Sequence, residues 1–405
     1  MKRILFLLIA MLFFITSCTG YVPPAVEPYG VGDADASYPI TSPFTDAKTR
    51  LLYVSSGVMM YYNKLTEEIY PFCFDTLCSH GDYACLSHRF SQADTGAQSV
   101  RYCAYDNRFY ALRGEQLCSF AFDGSDLRVE CSFGEEGDLE TDVIAYLFGG
   151  LLYLQIRERY VYFLARDSVS GKRVLTRFDV ETNRLDRLFH DPDTTVNGYL
   201  LCENGIYLNL VGAYAGLYCL PYDGGTPTQI SEELYTDFHE GIFDGEEIWF
   251  VKVQSSYDEE KHTPRYVYES IVSYHPTADT FREIAVLDSL QKHKLLAVTP
   301  EYIYYTVNDP VSVGFYEHDL GGEQIRREVF NYYGKILRLD KASGETLVVL
   351  EDLRCEPSSL FFYEDRVFLC GHVCTVSDTA AWRTMGSCTA NVDASGLFTG
   401  LTVLE

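Results

Sequence analysis

The feature that most constrains this chain is a repeat that begins at Leu51 and continues to the C-terminus. Each unit contains a strand centred on an aromatic residue and, after it, a turn rich in Asp, Asn, Ser and Gly. The aromatic positions are Tyr53, Tyr110, Tyr153, Tyr207, Trp249, Tyr304 and Phe368. The turns are residues 63–66, 123–125, 179–183, 223–225, 275–279, 340–344 and 393–396. Asp and Asn bond their own backbone in such turns and Gly supplies positive φ, so each turn predicts a hairpin.

The repeat predicts an all-β fold. Segments such as Lys335–Leu339 alternate apolar and polar residues, whereas helical periodicity is limited to one or two turns at 231–238. A period of about 40 to 50 residues fits a four-stranded β-propeller blade, which cannot bury both faces without neighbours. We therefore predict a single β-propeller over residues 51–405 with about seven blades. Six or eight blades are the alternative counts, and a pair of β-sandwiches or a right-handed β-helix is the competing architecture.

The N-terminus predicts export. Lys2 and Arg3 precede the apolar run Ile4–Ile15, which is shorter than the about 20 residues that a helix needs to span a bilayer. The segment Ile15-Thr16-Ser17-Cys18 resembles the lipobox of bacterial lipoproteins. That resemblance implies a signal peptide over residues 1–17 and a diacylglyceryl group on Cys18. A proline-rich, flexible tether over residues 18–50 would follow.

The repeated units behind a lipobox resemble the β-propeller lipoproteins of bacterial cell envelopes, whose functions are largely uncharacterised. The resemblance covers residues 51–405 and implies an extracytoplasmic, lipid-anchored protein. Its motifs mark blade geometry rather than chemistry, and regular tryptophan docking positions are missing, so no quinone cofactor is implied. We expect no cofactor.

The charge balance argues against one class of partner. The chain has 32 Lys and Arg against 58 Asp and Glu, a formal net charge of −26 at pH 7. Binding to phosphate backbones is driven by cationic side chains that displace counterions, so an acidic excess argues against nucleic acid. We expect a monomer whose partners are the membrane, through the lipid, and a carbohydrate or an envelope protein.

The densest group of reactive side chains is Cys73, Cys78, His80 and Cys85. Three thiolates and an imidazole can hold tetrahedral zinc, although the spacing matches no common zinc module. An exported chain meets oxidising conditions in which a disulfide also forms, and unpaired thiols are a third alternative. The metal question stays open. Apart from Cys18, twelve of the 13 cysteines remain, an even number that is compatible with disulfides without establishing their pairing.

Four units leave a long segment between the aromatic position and the turn, which predicts extended outer hairpins. The largest spans Thr306–Gly334. Its candidate ligand-contact residues are Phe315, Tyr316, Phe330, Tyr332 and Tyr333. If the aromatic strand is the third of each blade, these hairpins emerge on one rim, where loops on a rigid scaffold commonly bind ligands.

Known catalytic motifs are missing from the sequence, including the nucleophile elbow, the zinc-protease helix and phosphate-binding glycine loops. We therefore expect no catalytic residues and a binding or scaffolding module at the cell envelope. The alternative is a propeller enzyme acting on glycans, with carboxylates in the central channel that come from different blades and leave no local motif.

Overall fold

The computed structural model describes most of the repeat region. The described residues are 45–47, 50–55, 58–73, 77–79, 85, 87, 103–113, 116–121, 125–133, 139–140, 154–233, 241–258, 263–289, 291–320, 323–353, 355–377 and 380–404. The predicted signal peptide, Cys18 and His80 lie outside them, as does most of the segment 231–238. Within these residues no helix has the length and apolarity needed to cross a bilayer.

The described strands form seven antiparallel sheets, numbered here in chain order. Sheet 1 contains β1 (Thr45–Ala47), β2 (Arg50–Ser55), β3 (Val58–Asn63) and β4 (Glu68–Pro71). Sheet 2 contains β5 (Cys103–Tyr105), β6 (Arg108–Arg113), β7 (Gln116–Ala121) and β8 (Arg128–Ser132). Sheet 3 contains β10 (Leu154–Arg157), β11 (Tyr160–Asp167), β12 (Arg173–Asp179) and β13 (Arg184–Phe189), and β9 (Leu139–Glu140) pairs with β11.

Sheets 4 to 7 repeat the same order. Sheet 4 contains β14 (Thr194–Cys202), β15 (Gly205–Gly212), β16 (Gly216–Leu220) and β17 (Thr228–Ser231). Sheet 5 contains β18 (Ile242–Phe243), β19 (Ile248–Asp258), β20 (Thr263–His275) and β21 (Thr280–Val286). Sheet 6 contains β22 (Lys292–Val298), β23 (Tyr302–Leu320), β24 (Glu323–Asp340) and β25 (Thr346–Leu353). Sheet 7 contains β26 (Glu356–Tyr363), β27 (Arg366–Ser377), β28 (Ala380–Val392) and β29 (Phe398–Leu404).

Apart from β9, strands that follow one another in sequence are neighbours in each sheet. The first strands of several consecutive sheets contact one another. These contacts join β5 with β10, β14 with β18, β18 with β22, and β22 with β26. The first strand of sheet 1, β1, begins at Thr45, within the segment 18–50 that the sequence assigns to the tether. The last described strand, β29, pairs with β28 in sheet 7.

The aromatic position of each repeat lies on the second strand of its sheet in six of the seven units, not on the third. The described side chains at these positions are buried, with exposed fractions of 4% for Tyr110, 1% for Tyr207 and Tyr304, 2% for Trp249 and 0% for Phe368. Tyr153, the third aromatic position, lies outside the described residues, and the second strand of sheet 3 begins later, at Tyr160.

The predicted turns join the third and fourth strands of the sheets. The Oδ1 atom of Asp340 accepts hydrogen bonds from the backbone N–H groups of Ala342 and Ser343 at 2.9 and 2.8 Å. The following Gly344 has a φ of 73°, in the left-handed region that favours glycine. This bonding is the mechanism on which the turn prediction rests, and it is confirmed for this hairpin.

The first and last sheets pack against each other. The ring centroids of Tyr62 in sheet 1 and Phe368 in sheet 7 are 4.9 Å apart. An ion pair joins Glu67 and Arg366, which are 299 residues apart in the sequence, at 2.6 Å. The apolar cluster around the two rings also includes Leu51, Phe361 and Cys370. The two ends of the repeat region are therefore held together mainly by buried aromatic surface.

Replacing Phe368 by Ala should remove much of this contact. Since Phe368 is fully buried, we expect the free energy of unfolding to fall by about 3 to 5 kcal/mol, the usual loss for a buried phenylalanine. Chemical denaturation followed by tyrosine and tryptophan fluorescence measures the change. Phe315→Ala is the control, because that side chain is 43% exposed and its loss should cost about 0.5 kcal/mol or less. Equal losses in the two variants would contradict the importance of the contact.

A buried carboxylate closes the turn between β11 and β12. Asp167 Oδ1 accepts hydrogen bonds from Ser170 N–H at 2.7 Å and Ser170 Oγ–H at 2.9 Å. Its Oδ2 atom lies 2.8 Å from Nη1 of Arg187 on β13. These interactions, with the backbone bond from Ser170 as the largest cause, hold the pKa of Asp167 below its usual value.

The lowered pKa of Asp167 predicts a pH dependence of stability. An unfolded Asp has a pKa of about 3.9, so the stabilisation is complete above about pH 4 and is lost as the pH falls through the lower pKa of the folded state. Asp167→Asn should lower stability at pH 7 and flatten its decrease below pH 4, as measured by thermal unfolding across a pH series. The exposed Asp223, replaced by Asn, serves as the control. A slope unchanged from the parent chain in Asp167→Asn would refute this role.

Candidate functional site

The hairpin of β23 and β24 projects beyond sheet 6. The ladder with β22 ends at the pair Lys292 and Asn308, and the ladder with β25 ends at the pair Gly334 and Leu353. Among the described residues, the rest of β23 and β24 pair only with each other, as far as Leu320 and Glu323. Thr306, Val307 and Asn308 are buried inside the sheet. The projecting part is therefore 309–333, which is shorter than the predicted span.

The predicted contact residues occupy two levels of this hairpin. Phe315 lies on the outer part with 43% of its surface exposed, and the guanidinium carbon of Arg326 lies 4.2 Å from the centroid of its ring. The others are half-buried. They are Tyr316 on β23 and Phe330, Tyr332 and Tyr333 on β24. Tyr316 pairs with Arg327 and so belongs to the outer level with Phe315 and its cation, whereas Phe330, Tyr332 and Tyr333 form the inner level.

An extra residue bends the hairpin between these two levels. Ser312 pairs with Phe330 and Gly314 pairs with Val329, so Val313 is a β-bulge. Gly314 has a φ of 141°, which side chains other than glycine rarely adopt. Bulges increase the local twist of a strand and redirect the side chains beyond it. The orientation of Phe315 relative to the sheet therefore depends on this glycine.

A charged pair lies at the base of the hairpin. Lys292, the first residue of β22, bonds the carboxylate of Glu356, the first residue of β26. The Nζ atom of Lys292 also lies 4.5 Å from the centroid of the Tyr332 ring. Glu356 is only 7% exposed, and the cation compensates its buried charge. Because the pair joins the beginnings of two first strands, the hairpins of sheets 6 and 7 emerge from the same end.

Next to this pair, Asn308 carries a buried oxygen. Asn308 is fully buried, and its Nδ2 atom donates to Thr306 Oγ1 at 2.8 Å, while Oδ1 has no hydrogen-bond partner among the residues that the structure describes. Opposite it, a Cβ on Gly334 would lie 2.0 Å from Oδ1, so only glycine leaves room for the amide. Buried polar atoms are usually bonded, so Oδ1 is a position for an ordered water or a ligand donor.

The neighbouring sheets also carry long hairpins. β19 and β20 extend sheet 5 to the pair Asp258 and Thr263, and β27 and β28 extend sheet 7 to the pair Ser377 and Ala380. The fourth hairpin predicted to be long, in sheet 3, ends its second strand at Asp167 and is shorter. The long hairpins are therefore concentrated in the three consecutive sheets 5, 6 and 7.

The connector between sheets 1 and 2 brings three predicted site residues together. The Sγ atoms of Cys73, Cys78 and Cys85 all lie within 4.8 Å of one another. Cys85 is buried, whereas Cys73 and Cys78 are half-buried. His80, the fourth member of the predicted group, and Cys18, the predicted lipidation site, lie outside the described residues.

Other cysteines have a different environment inside the sheets. Burial raises the pKa of Cys202 and Cys219 in sheet 4. Burial also raises the pKa of Cys355 to about 11 and that of Cys388 to about 12, next to sheet 7 and in it. These four side chains are thiols in the structure, and their pKa values keep them protonated at neutral pH.

The chain was compared with known proteins. No family model matches it, and no curated protein matches it significantly. Among solved structures, oligogalacturonate lyase from Vibrio parahaemolyticus is 12% identical with a TM-score of 0.51, over 89% of this chain and 91% of the lyase. The GH74 enzyme of Niastella koreensis is 10% identical with a TM-score of 0.48, over 92% and 54%. Dipeptidyl peptidase 4 of Porphyromonas gingivalis is 9% identical with a TM-score of 0.46, over 90% and 50%.

At these identities the likeness to the lyase bears on the fold alone. Together with the seven sheets in chain order, it supports a β-propeller-like, all-β fold for this chain.

Proposed function

We propose that the chain is an extracytoplasmic lipoprotein with a seven-bladed β-propeller that binds an envelope protein through the projecting hairpins of sheets 5 to 7. The observation that carries the proposal is the hairpin 309–333, which holds an exposed aromatic ring and a cation away from the sheet. In this proposal the seven sheets are the blades, and the packing of sheet 7 on sheet 1 closes the ring.

The composition of the hairpin favours a protein partner. Aromatic residues and Arg are enriched at the centres of protein interfaces, where a few of them supply most of the binding energy. Phe315 and Arg326 form such a pair at the outer level. The exposed Val311 lies on β23, the strand of Phe315. The guanidinium over the Phe315 ring already covers one face that a sugar would need for stacking. Carbohydrate binding is therefore the alternative outcome of the test below.

The carboxylates of the described first strands do not favour a catalytic role. These strands carry two acids, Asp46 and Glu356, and Glu356 is held by Lys292. A partly buried ion pair that joins two adjacent sheets has a structural use, and a general acid or base would have to leave it. The described first strands therefore do not support the glycan-cleaving alternative.

The hairpin can be removed with little disturbance of the sheet. Deleting 309–333 joins Asn308 directly to Gly334, and Asn-Gly is the favoured pair of a two-residue hairpin turn. Val307 and Lys335, which already pair, would close the new turn. We expect this variant to fold and to lose its partner.

The binding test uses a photo-crosslinking amino acid at position 315 in cells of the producing bacterium. We expect a discrete crosslinked protein from position 315 and none from position 65. Leu65 is the matched control because it is 72% exposed and lies in the turn between the third and fourth strands of sheet 1, away from the hairpin. With the identified partner, Phe315→Ala combined with Arg326→Ala should weaken binding about 30-fold or more, whereas Leu65→Ala should not.

The other outcomes of this test are equally informative. Binding to a glycan array that is lost in the deletion variant, without a protein crosslink, would replace the protein partner by a carbohydrate. Neither crosslink nor glycan binding, or binding that survives the deletion, would refute the assignment of this surface.

The proposed anchor makes a separate prediction. A diacylglyceryl group brings two acyl chains, which suffice for stable membrane attachment. Cys18→Ser should move the chain from the membrane fraction to the soluble fraction, as measured by fractionation and intact-mass spectrometry. Thr19→Ala leaves the lipobox unchanged and should stay in the membrane fraction. Membrane attachment of Cys18→Ser would exclude this anchor.

A further inference from the structure

The connector between sheets 1 and 2 contains a group of sulfur atoms that the proposed binding surface does not use. Cys73 follows β4 directly, and Cys78 and Cys85 come later in the connector. Although they are up to 12 positions apart in the sequence, their Sγ atoms lie within 4.8 Å of one another. Three thiols of one connector therefore meet at one point.

The position of Cys73 is fixed by the residue before it. Phe72 is fully buried, and its ring centroid lies 5.9 Å from that of Phe109 and 6.0 Å from that of Phe120, both in sheet 2. Its N–H group also donates to the backbone oxygen of Met59 in sheet 1 at 2.9 Å. Cys73 is thus attached to a rigid point where two sheets meet.

The opposite side of the group is also part of the packed interior. Cys85 is 2% exposed and Ser87 is fully buried. The Sγ atom of Cys85 and the Oγ atom of Ser87 are 2.8 Å apart, in hydrogen-bond contact. A hydroxyl in this place can donate to a thiolate, and such outer hydrogen bonds orient the ligands of metal sites.

We infer that Cys73, Cys78 and Cys85 bind one zinc ion as thiolates. A tetrahedral zinc ion with Zn–S distances of about 2.3 Å separates its sulfur ligands by about 3.8 Å, a spacing that the observed limit of 4.8 Å accommodates. A disulfide joins only two sulfur atoms and leaves the third beside it without a use. The three thiols release one proton each as the ion binds, and one coordination position remains for a fourth ligand.

The sheet cysteines are poorer candidates for the same chemistry. The buried Cys202 and the half-buried Cys219 have raised pKa values, which oppose the thiolate form that zinc requires. They are therefore suitable controls. The bound ion would tie the connector to the end of β4 and restrict the chain between sheets 1 and 2, independently of any ligand on the hairpins.

The experiment measures zinc in the full chain, isolated without reductant or chelator, by plasma mass spectrometry. We expect one zinc ion per chain, and cobalt added to the metal-free protein should give thiolate-to-cobalt charge-transfer bands. Cys78→Ser should weaken zinc binding by more than about 100-fold, because the loss of outer partners alone costs about 10- to 100-fold. Ser87→Ala should weaken it about 10-fold. Cys219→Ser, a half-buried cysteine of sheet 4, should leave it unchanged.

Two results would overturn the inference. One is a chain that contains no zinc and takes up none when zinc is added to its reduced form. The other is a disulfide between any two of Cys73, Cys78 and Cys85 in the chain isolated from the cell envelope, detected by peptide mass spectrometry without reduction. Because Cys78 is half-buried and Ser87→Ala preserves all three sulfurs, at least one variant should fold and report on binding.

Discussion

The structure depends on one constraint: a four-stranded sheet cannot bury its own faces, so each sheet must be covered by its neighbours. Large tyrosines on the strands meet this requirement and also bond across the interface. Tyr199 of sheet 4 donates its hydroxyl to the backbone oxygen of Tyr162 in sheet 3 at 2.7 Å. Tyr304 of sheet 6 donates to the backbone oxygen of Gly396 in sheet 7 at 3.3 Å. Buried tyrosines thus fill the space between sheets while their polar ends are satisfied by the adjacent backbone, which sets the spacing of the sheets.

The elements that could be predicted from the sequence are those whose signals are local. Turns such as 340–344 carry their own hydrogen-bond acceptors and a residue with positive φ, so the hairpins and the all-β class follow from short segments. The position of the aromatic strand within its sheet could not be predicted from such local signals. A first strand as short as β18, Ile242–Phe243, leaves almost no alternating pattern, so local sequence gives no signal for where the aromatic strand lies within its sheet. In the third unit, Tyr153 resembles the repeat, whereas the second strand begins only at Tyr160.

The residues of the candidate site also divide into those that the sequence can reveal and those that it cannot. Phe315 and its neighbours could be selected from the sequence because a long segment rich in aromatic residues stands out between two regular strands. Lys292 and Glu356 could not, since they are 64 positions apart and become partners only when two first strands lie side by side. Asn308 could not be selected from the sequence for another reason. The buried position of the Asn308 amide depends on Gly334 on the paired strand, because a glycine there leaves room for the amide. Pairings between residues that are far apart in the sequence leave no trace in local spacing.

The cysteines illustrate why a count of residues is a weak guide to their chemistry. In sheet 4, a Cβ on Gly205 would lie 2.8 Å from the Sγ atom of Cys219, and next to sheet 7 a Cβ on Gly371 would lie 2.5 Å from that of Cys355. In both places glycine provides the space that a thiol fills, so these cysteines act as small apolar side chains. The even number of cysteines other than Cys18 is therefore no evidence for disulfides. Cys73, Cys78 and Cys85 differ because they lie after the end of β4, outside the strands that the structure describes. Convergence of reactive side chains outside regular structure is the stronger sign of chemical use, since packing alone does not require it.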